Sequence, residues 1–71
     1  MQLYANLNGN SGVSRFETGE DYIIVEFTTG AVYTYTYLSA GKERIEMMKS
    51  LALSGRGLNS YINKYARKLY A

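Results

Sequence analysis

From Asp21 to Leu38 the chain reads DYIIVEFTTGAVYTYTYL, and its polar and apolar positions fall at the two-residue period of strands. Tyr22 to Phe27 is rich in β-branched and aromatic residues, and Ala31 to Tyr37 alternates Tyr with Val and Thr. Between them, Thr28-Thr29-Gly30 suits a type I turn closed by a left-handed glycine, which forms a bulge. A three-residue turn fixes the register: Phe27 faces Ala31, Val25 faces Tyr33 and Ile23 faces Tyr35. Ile23, Val25, Phe27, Tyr33, Tyr35 and Tyr37 then share the more apolar face, which becomes the core side. Tyr22, Ile24, Glu26, Val32, Thr34 and Thr36 share the other. A two-residue loop would slip the register and turn the tyrosines outward.

Upstream, Val13 to Thr18 is a third strand, with Val13 and Phe16 three apart and so not assignable to one face. Thr18-Gly19-Glu20-Asp21 turns the chain into the hairpin, making an antiparallel meander. Residues 1–12 read as an irregular or poorly ordered segment: Leu3, Tyr4 and Leu7 could pack, but Asn6, Asn8, Gly9, Asn10, Ser11 and Gly12 are loop-formers. After Leu38 the period becomes helical. Ser39 suits an N-cap, Glu43 suits the early helix, and Ile45, Met48, Leu51 and Ala52 make the apolar stripe. Gly55 or Gly57 ends this helix. A second runs from about Leu58 to Leu69, with Leu58, Tyr61, Ile62, Tyr65 and Leu69 on one side and Ser60, Lys64, Arg67 and Lys68 off it. The expected fold is α+β: a three-stranded antiparallel meander followed by two helices packed on one sheet face, β-β-β-α-α, as a single domain over 13–71.

Composition narrows the chemistry. A chain of 71 residues buries only about 60% of its unfolded surface, and a core this small rarely supplies more than roughly 3–5 kcal/mol. The chain has no Cys and no His, so disulfides, thiolate metal sites, an imidazole base and an ordinary zinc site are all excluded. Ser11, Ser39, Ser50, Ser54 and Ser60 therefore lack a base partner, and the expectation is a protein without catalytic residues, cofactor or metal. No apolar run approaches the ~20 residues of a membrane span and no signal-peptide pattern opens the chain, which gives a soluble cytoplasmic protein as the expectation.

The net charge of +2 is unevenly placed. Residues 1–41 hold one base, Arg15, against four acids, Glu17, Glu20, Asp21 and Glu26; residues 42–71 hold seven bases against two acids, Glu43 and Glu46. Two partner surfaces follow. Arg56, Lys64, Arg67 and Lys68, joined by Lys49, could track a phosphate backbone with Tyr61 and Tyr70 at the edge. Solvated cations matching the helix dipole would sit in the same places, but no acid occurs after Ser54. Glu17, Glu20 and Asp21, with Tyr22 as the exposed ring, could meet a basic protein surface, although charged turns and edges are also ordinary solvated features. ETGED matches no calcium loop, and nothing about Glu20-Asp21 marks a buried acid/base pair. Gly55-Arg56-Gly57 is a helix–helix turn that could also offer N–H groups to an anion. Tyr33, Tyr35 and Tyr37 could be a stacking platform for bases; the register argument favours a core role.

Two stretches, VEFTTGAVYTY (Val25 to Tyr35) and GRGLNSYI (Gly55 to Ile62), resemble the KTSC domain family. That small domain occurs at the C-terminus of some lysyl-tRNA synthetases and as a free-standing bacterial or phage protein. The matching marks are the Y-x-Y of Tyr33 and Tyr35, and later Gly55, Leu58, Asn59 and Ile62. The chain departs from the pattern in having Leu38-Ser39 for a Val-Pro, a first helix about one turn longer, and Asn63 where an Arg is common. The synthetase setting implies RNA binding. The reading reached is a non-enzymatic module that binds nucleic acid, RNA first, through the basic second helix and Arg56. The alternative is a protein-interaction module, such as a phage-type effector that blocks a host protein, using Glu17 to Asp21 or the outer sheet face with Tyr22, Ile24, Val32 and Thr34.

Overall fold

The computed structural model describes residues 1–7, 9 and 11–71. It is a small α+β domain built on a four-stranded antiparallel sheet in sequential order: β1 (Gln2–Leu3), β2 (Val13–Thr18), β3 (Tyr22–Phe27) and β4 (Val32–Thr36). Helices α1 (Tyr37–Ala40), α2 (Lys42–Ser54) and α3 (Leu58–Tyr61) come next, and α3 runs on into a π-helical turn, Ile62–Ala66.

The central hairpin keeps the predicted register, with Ile23 opposite Tyr35 and Val25 opposite Tyr33. The turn closes as the glycine requires: Phe27 N–H donates to the Ala31 carbonyl at 2.8 Å, Gly30 N–H to the Phe27 carbonyl at 2.9 Å, and Gly30 sits at φ 94°. The core face is less uniform than predicted. Ile23, Val25 and Tyr35 are buried, Phe27 and Tyr37 are half-buried, and Tyr33 is 37% exposed. Tyr33 lies toward the turn end of the hairpin, on a groove that it shares with Ile62 and Tyr70. Tyr37 does not continue the strand but opens α1.

The meander gains a strand. Gln2 and Leu3 pair with Phe16 and Arg15, and Tyr4 follows them into the core, its ring edge-on to Phe16 and its hydroxyl accepting from Leu58 N–H at 3.3 Å. Two residues are too few to show a period. The loop-forming assignments of Asn8 and Asn10 fall outside the described residues. In β2 the pairing shifts between Val13 and Arg15, and this irregularity lets Val13 and Phe16, three apart, both turn inward.

The helices differ from the sequence reading at both ends. Thr36, not Ser39, is the N-cap; Ser39 is its reciprocal partner at the third position of a capping box, each backbone N–H donating to the other's side-chain oxygen at 3.0 Å. One turn later Gly41 breaks the helix at φ 93°, and α2 starts afresh. Its stripe behaves as predicted, with Ile45, Met48 and Ala52 buried and Leu51 half-buried, and Gly55 ends it in the left-handed conformation. The second helix is not one α-helix to Leu69. The wider π turn rotates later residues off the expected face, so Ala66 is buried and Tyr65 is 49% exposed. One core cluster joins Phe16, Ile23, Val25 and Tyr35 of the sheet to Ile45, Met48, Leu58 and Ile62 of the helices. Among the described residues, no helix is long and apolar enough to cross a membrane.

Candidate functional site

The turn end of the hairpin becomes one wall of a groove. After the π turn the chain bends back, Leu69 N–H donating to the Ala66 carbonyl at 3.0 Å and Ala71 N–H to the Thr34 carbonyl at 2.7 Å. That return lays Tyr70 against the hairpin: its ring centroid is 4.7 Å from Tyr33 at an interplanar angle of 34°, and 6.4 Å from Tyr35 nearly edge-on. Phe27 meets Tyr33 edge-on at 5.9 Å. The groove so formed holds about 410 Å³ and is lined by Gly12, Phe27, Thr28, Thr29, Ala31, Tyr33, Tyr35, Ile62, Asn63, Arg67, Lys68 and Tyr70. Aromatic rings, two cations, an amide and two hydroxyls of a turn converge there, and no carboxylate does. Burial, with Tyr33 and Tyr70 adding to it, pushes the Tyr35 phenol up to about 12, so Tyr35 stays neutral at the floor of the groove.

The basic residues are divided among several places. Arg67 and Lys68 line the groove. Arg56 stands apart, lining a smaller cavity of about 60 Å³ with Tyr4, Asn6, Ser11, Gly55, Gly57, Asn59 and Ser60. Lys64 lies over the Tyr65 ring at 5.4 Å, and half-buried Tyr61 packs on Tyr65 at 4.9 Å; neither Lys64 nor Tyr61 reaches the groove wall. Lys49 leaves the basic set altogether, since its ammonium donates to the Glu20 carbonyl at 2.8 Å and to Glu46 at 2.9 Å.

Lys49 instead sits in the acidic end. There the Tyr37 hydroxyl donates to Glu46 at 2.5 Å while Lys49 lies over the Tyr37 ring at 5.6 Å. The bond to Glu46, reinforced by Asp21 and Glu20 nearby, raises the Tyr37 phenol to about 12; the same bond, with that from Lys49, lowers the Glu46 carboxyl. Glu20 and Asp21 lie at the β2–β3 turn, where Asp21 is exposed, and Glu17 lies 3.8 Å from the N-terminal amine. Tyr22 is not the free ring expected: it is half-buried and folded over Gly19, where a Cβ would collide with it. Arg15 is tied to Glu26 at 2.6 Å. Among the described residues, no cluster of three or more acids could hold a metal ion.

Arg67, Lys68 and Tyr70 belong to the one basic surface expected from the sequence, whereas Tyr33 was expected in the core and is brought to them only by the fold. The sequence reading did not propose Phe27, Thr28, Thr29 and Asn63 as site residues at all. The available signal was the run Arg67-Lys68-Leu69-Tyr70, where cations and a ring are interleaved at the end of a helix. No family model, curated protein or solved structure matches the chain.

Proposed function

We propose that the protein is a non-enzymatic binding module for single-stranded nucleic acid, RNA before DNA, and that the groove is its contact surface. One observation carries this: Arg67 and Lys68 share a groove with Tyr33 and Tyr70. Ring faces accept any unstacked base, and each stacked base is worth about 1–3 kcal/mol on alanine substitution. Guanidinium and ammonium groups beside them meet the phosphates, with the planar guanidinium able to bind two phosphate oxygens together. A groove of this size admits a splayed base and not a paired one, which is the form in which single strands are read. The resemblance to the KTSC family, with its synthetase setting, supports the same reading. Gly55, Leu58 and Ile62, three of the four residues of its second mark, are buried here.

The test is fluorescence anisotropy of a labelled single-stranded RNA against salt. Each neutralised phosphate contributes about −0.7 to the log–log slope on single strands, so the two groove cations give roughly −1.4. Reversing Arg67 and Lys68 to Glu abolishes binding; reversing Glu20 and Asp21 to Lys leaves it unchanged or improved. Binding that stays flat with salt, or survives the groove reversal, overturns the reading. The second reading, a protein partner such as a host target, is favoured by Glu20 and Asp21 lying near Glu46 around Tyr37. On that reading the effects invert, and the acidic reversal slows association with a purified partner.

A further inference from the structure

The groove and the Arg56 cavity are neighbours. Gly12 lines the groove, and a Cβ on Gly12 would meet Asn59 Oδ1 at 3.2 Å, while Asn59 lines the cavity. Asn63, on the groove side, comes four residues after Asn59, about 6 Å along a helix axis. The two spaces therefore lie side by side along the same helical run.

They differ in what they can hold. The cavity, at about 60 Å³, takes a few waters or one tetrahedral oxyanion and no base. Three of its side-chain acceptors are engaged: Asn6 Oδ1 accepts from Ser11 N–H at 3.0 Å, the Ser11 hydroxyl from Val13 N–H at 3.1 Å, and the Tyr4 hydroxyl from Leu58 N–H. Arg56, Asn59 and Ser60 add residues with N–H or O–H donors to the lining, and among the described residues no carboxylate is part of it. Arg56 is held between two left-handed glycines, Gly55 at φ 80° and Gly57 at φ 83°, on a turn that other residue types would strain.

We infer that the Arg56 cavity is a second anchoring point, for the backbone phosphate next to the nucleotide whose base occupies the groove. This rests on the groove binding nucleotides, and it specifies the ligand further: a strand of two or more linked nucleotides, gripped at a base and at a neighbouring phosphate. A free mononucleotide fills the groove alone.

The experiment compares uridine 5′-monophosphate with a short polyuridine strand, titrated against the wild-type chain, Arg56→Gln and Lys68→Gln. Arg56→Gln weakens the strand and lowers its salt slope by about 0.7, and leaves the mononucleotide unchanged. Lys68→Gln weakens both ligands. Ser60→Ala is a milder second variant at the same wall, and circular dichroism checks that each variant folds. Equal strand affinity for Arg56→Gln and wild type, with the groove still binding, overturns this inference and leaves the groove reading standing. A wild-type chain that binds neither ligand overturns both.

Discussion

Tyr33 and Tyr35 are two residues apart on one strand face and do different things. Tyr35 is 1% exposed and held by sheet and helices, so Tyr35→Ala costs about 3–5 kcal/mol in a urea melt, the range for a large buried side chain lost without collapse. Tyr33→Ala costs about 1 kcal/mol in the same melt and, on the proposed function, weakens the anisotropy signal of the labelled RNA instead. An alternation of strand residues assigns both to the same face; only the coverage above the face separates them, and coverage is set by helices far along the chain. Titration offers a further test of Tyr35. Its folded pKa of about 12 lies above the ordinary 10, so the fold favours the neutral phenol. That stabilisation is complete below pH 10 and is lost as pH rises toward 12. Tyr37, raised to about 12 by its bond to Glu46, loses its share in the same window. Alkaline unfolding followed by circular dichroism therefore shifts to higher pH in Tyr35→Phe, and further when Tyr37→Phe is added.

At the scale of elements, the hairpin's register was legible because turn length and a two-residue period fix which residues face one another. The later α2 stripe was legible for the same reason, since Ile45, Met48 and Ala52 repeat at helical spacing. The irregular features were not. Neither the pairing shift at Val13 nor the π turn from Ile62 has a residue signature, and each rotates the side chains beyond it. β1 is recognisable only through its neighbour β2. Glycines allow the element boundaries to be tested. Gly30 has open space where a Cβ would go, so Gly30→Ala meets only the left-handed strain of about 1–2 kcal/mol. Gly55→Ala meets that strain and also brings a Cβ to 2.7 Å from Ala5 Cβ, wedging the first segment away from the α2 terminus. Its urea midpoint falls well below that of Gly30→Ala; equal midpoints would show that residues 1–7 give way freely.

The whole molecule spans 31 × 23 × 21 Å, and its two charged sites lie at opposite ends of one hairpin. Strand β3 leaves the acidic end at Tyr22 and reaches the groove at Phe27, five steps of about 3.3 Å, or roughly 17 Å, away. That distance exceeds a Debye length of about 8 Å at physiological salt, so the potential at each end is not cancelled by the other. Counting charges along the sequence found this polarity of the two halves. It could not show that Lys49 crosses over to the acidic end, or that Arg56 and Arg67 serve different cavities, because both depend on which helix face meets which loop.

The bond from Ala71 N–H to the Thr34 carbonyl has a consequence for how copies of the protein behave together. β4 is an outer strand of the sheet, and Thr34 offers its carbonyl on the side away from β3. An unpaired strand rim is a template for another chain. Here the segment after Leu69 occupies that rim, with Tyr70 held against the hairpin. Cutting the chain after Lys68 would free it, and light scattering would then detect a higher mass per particle, relative to one chain, than for the intact protein.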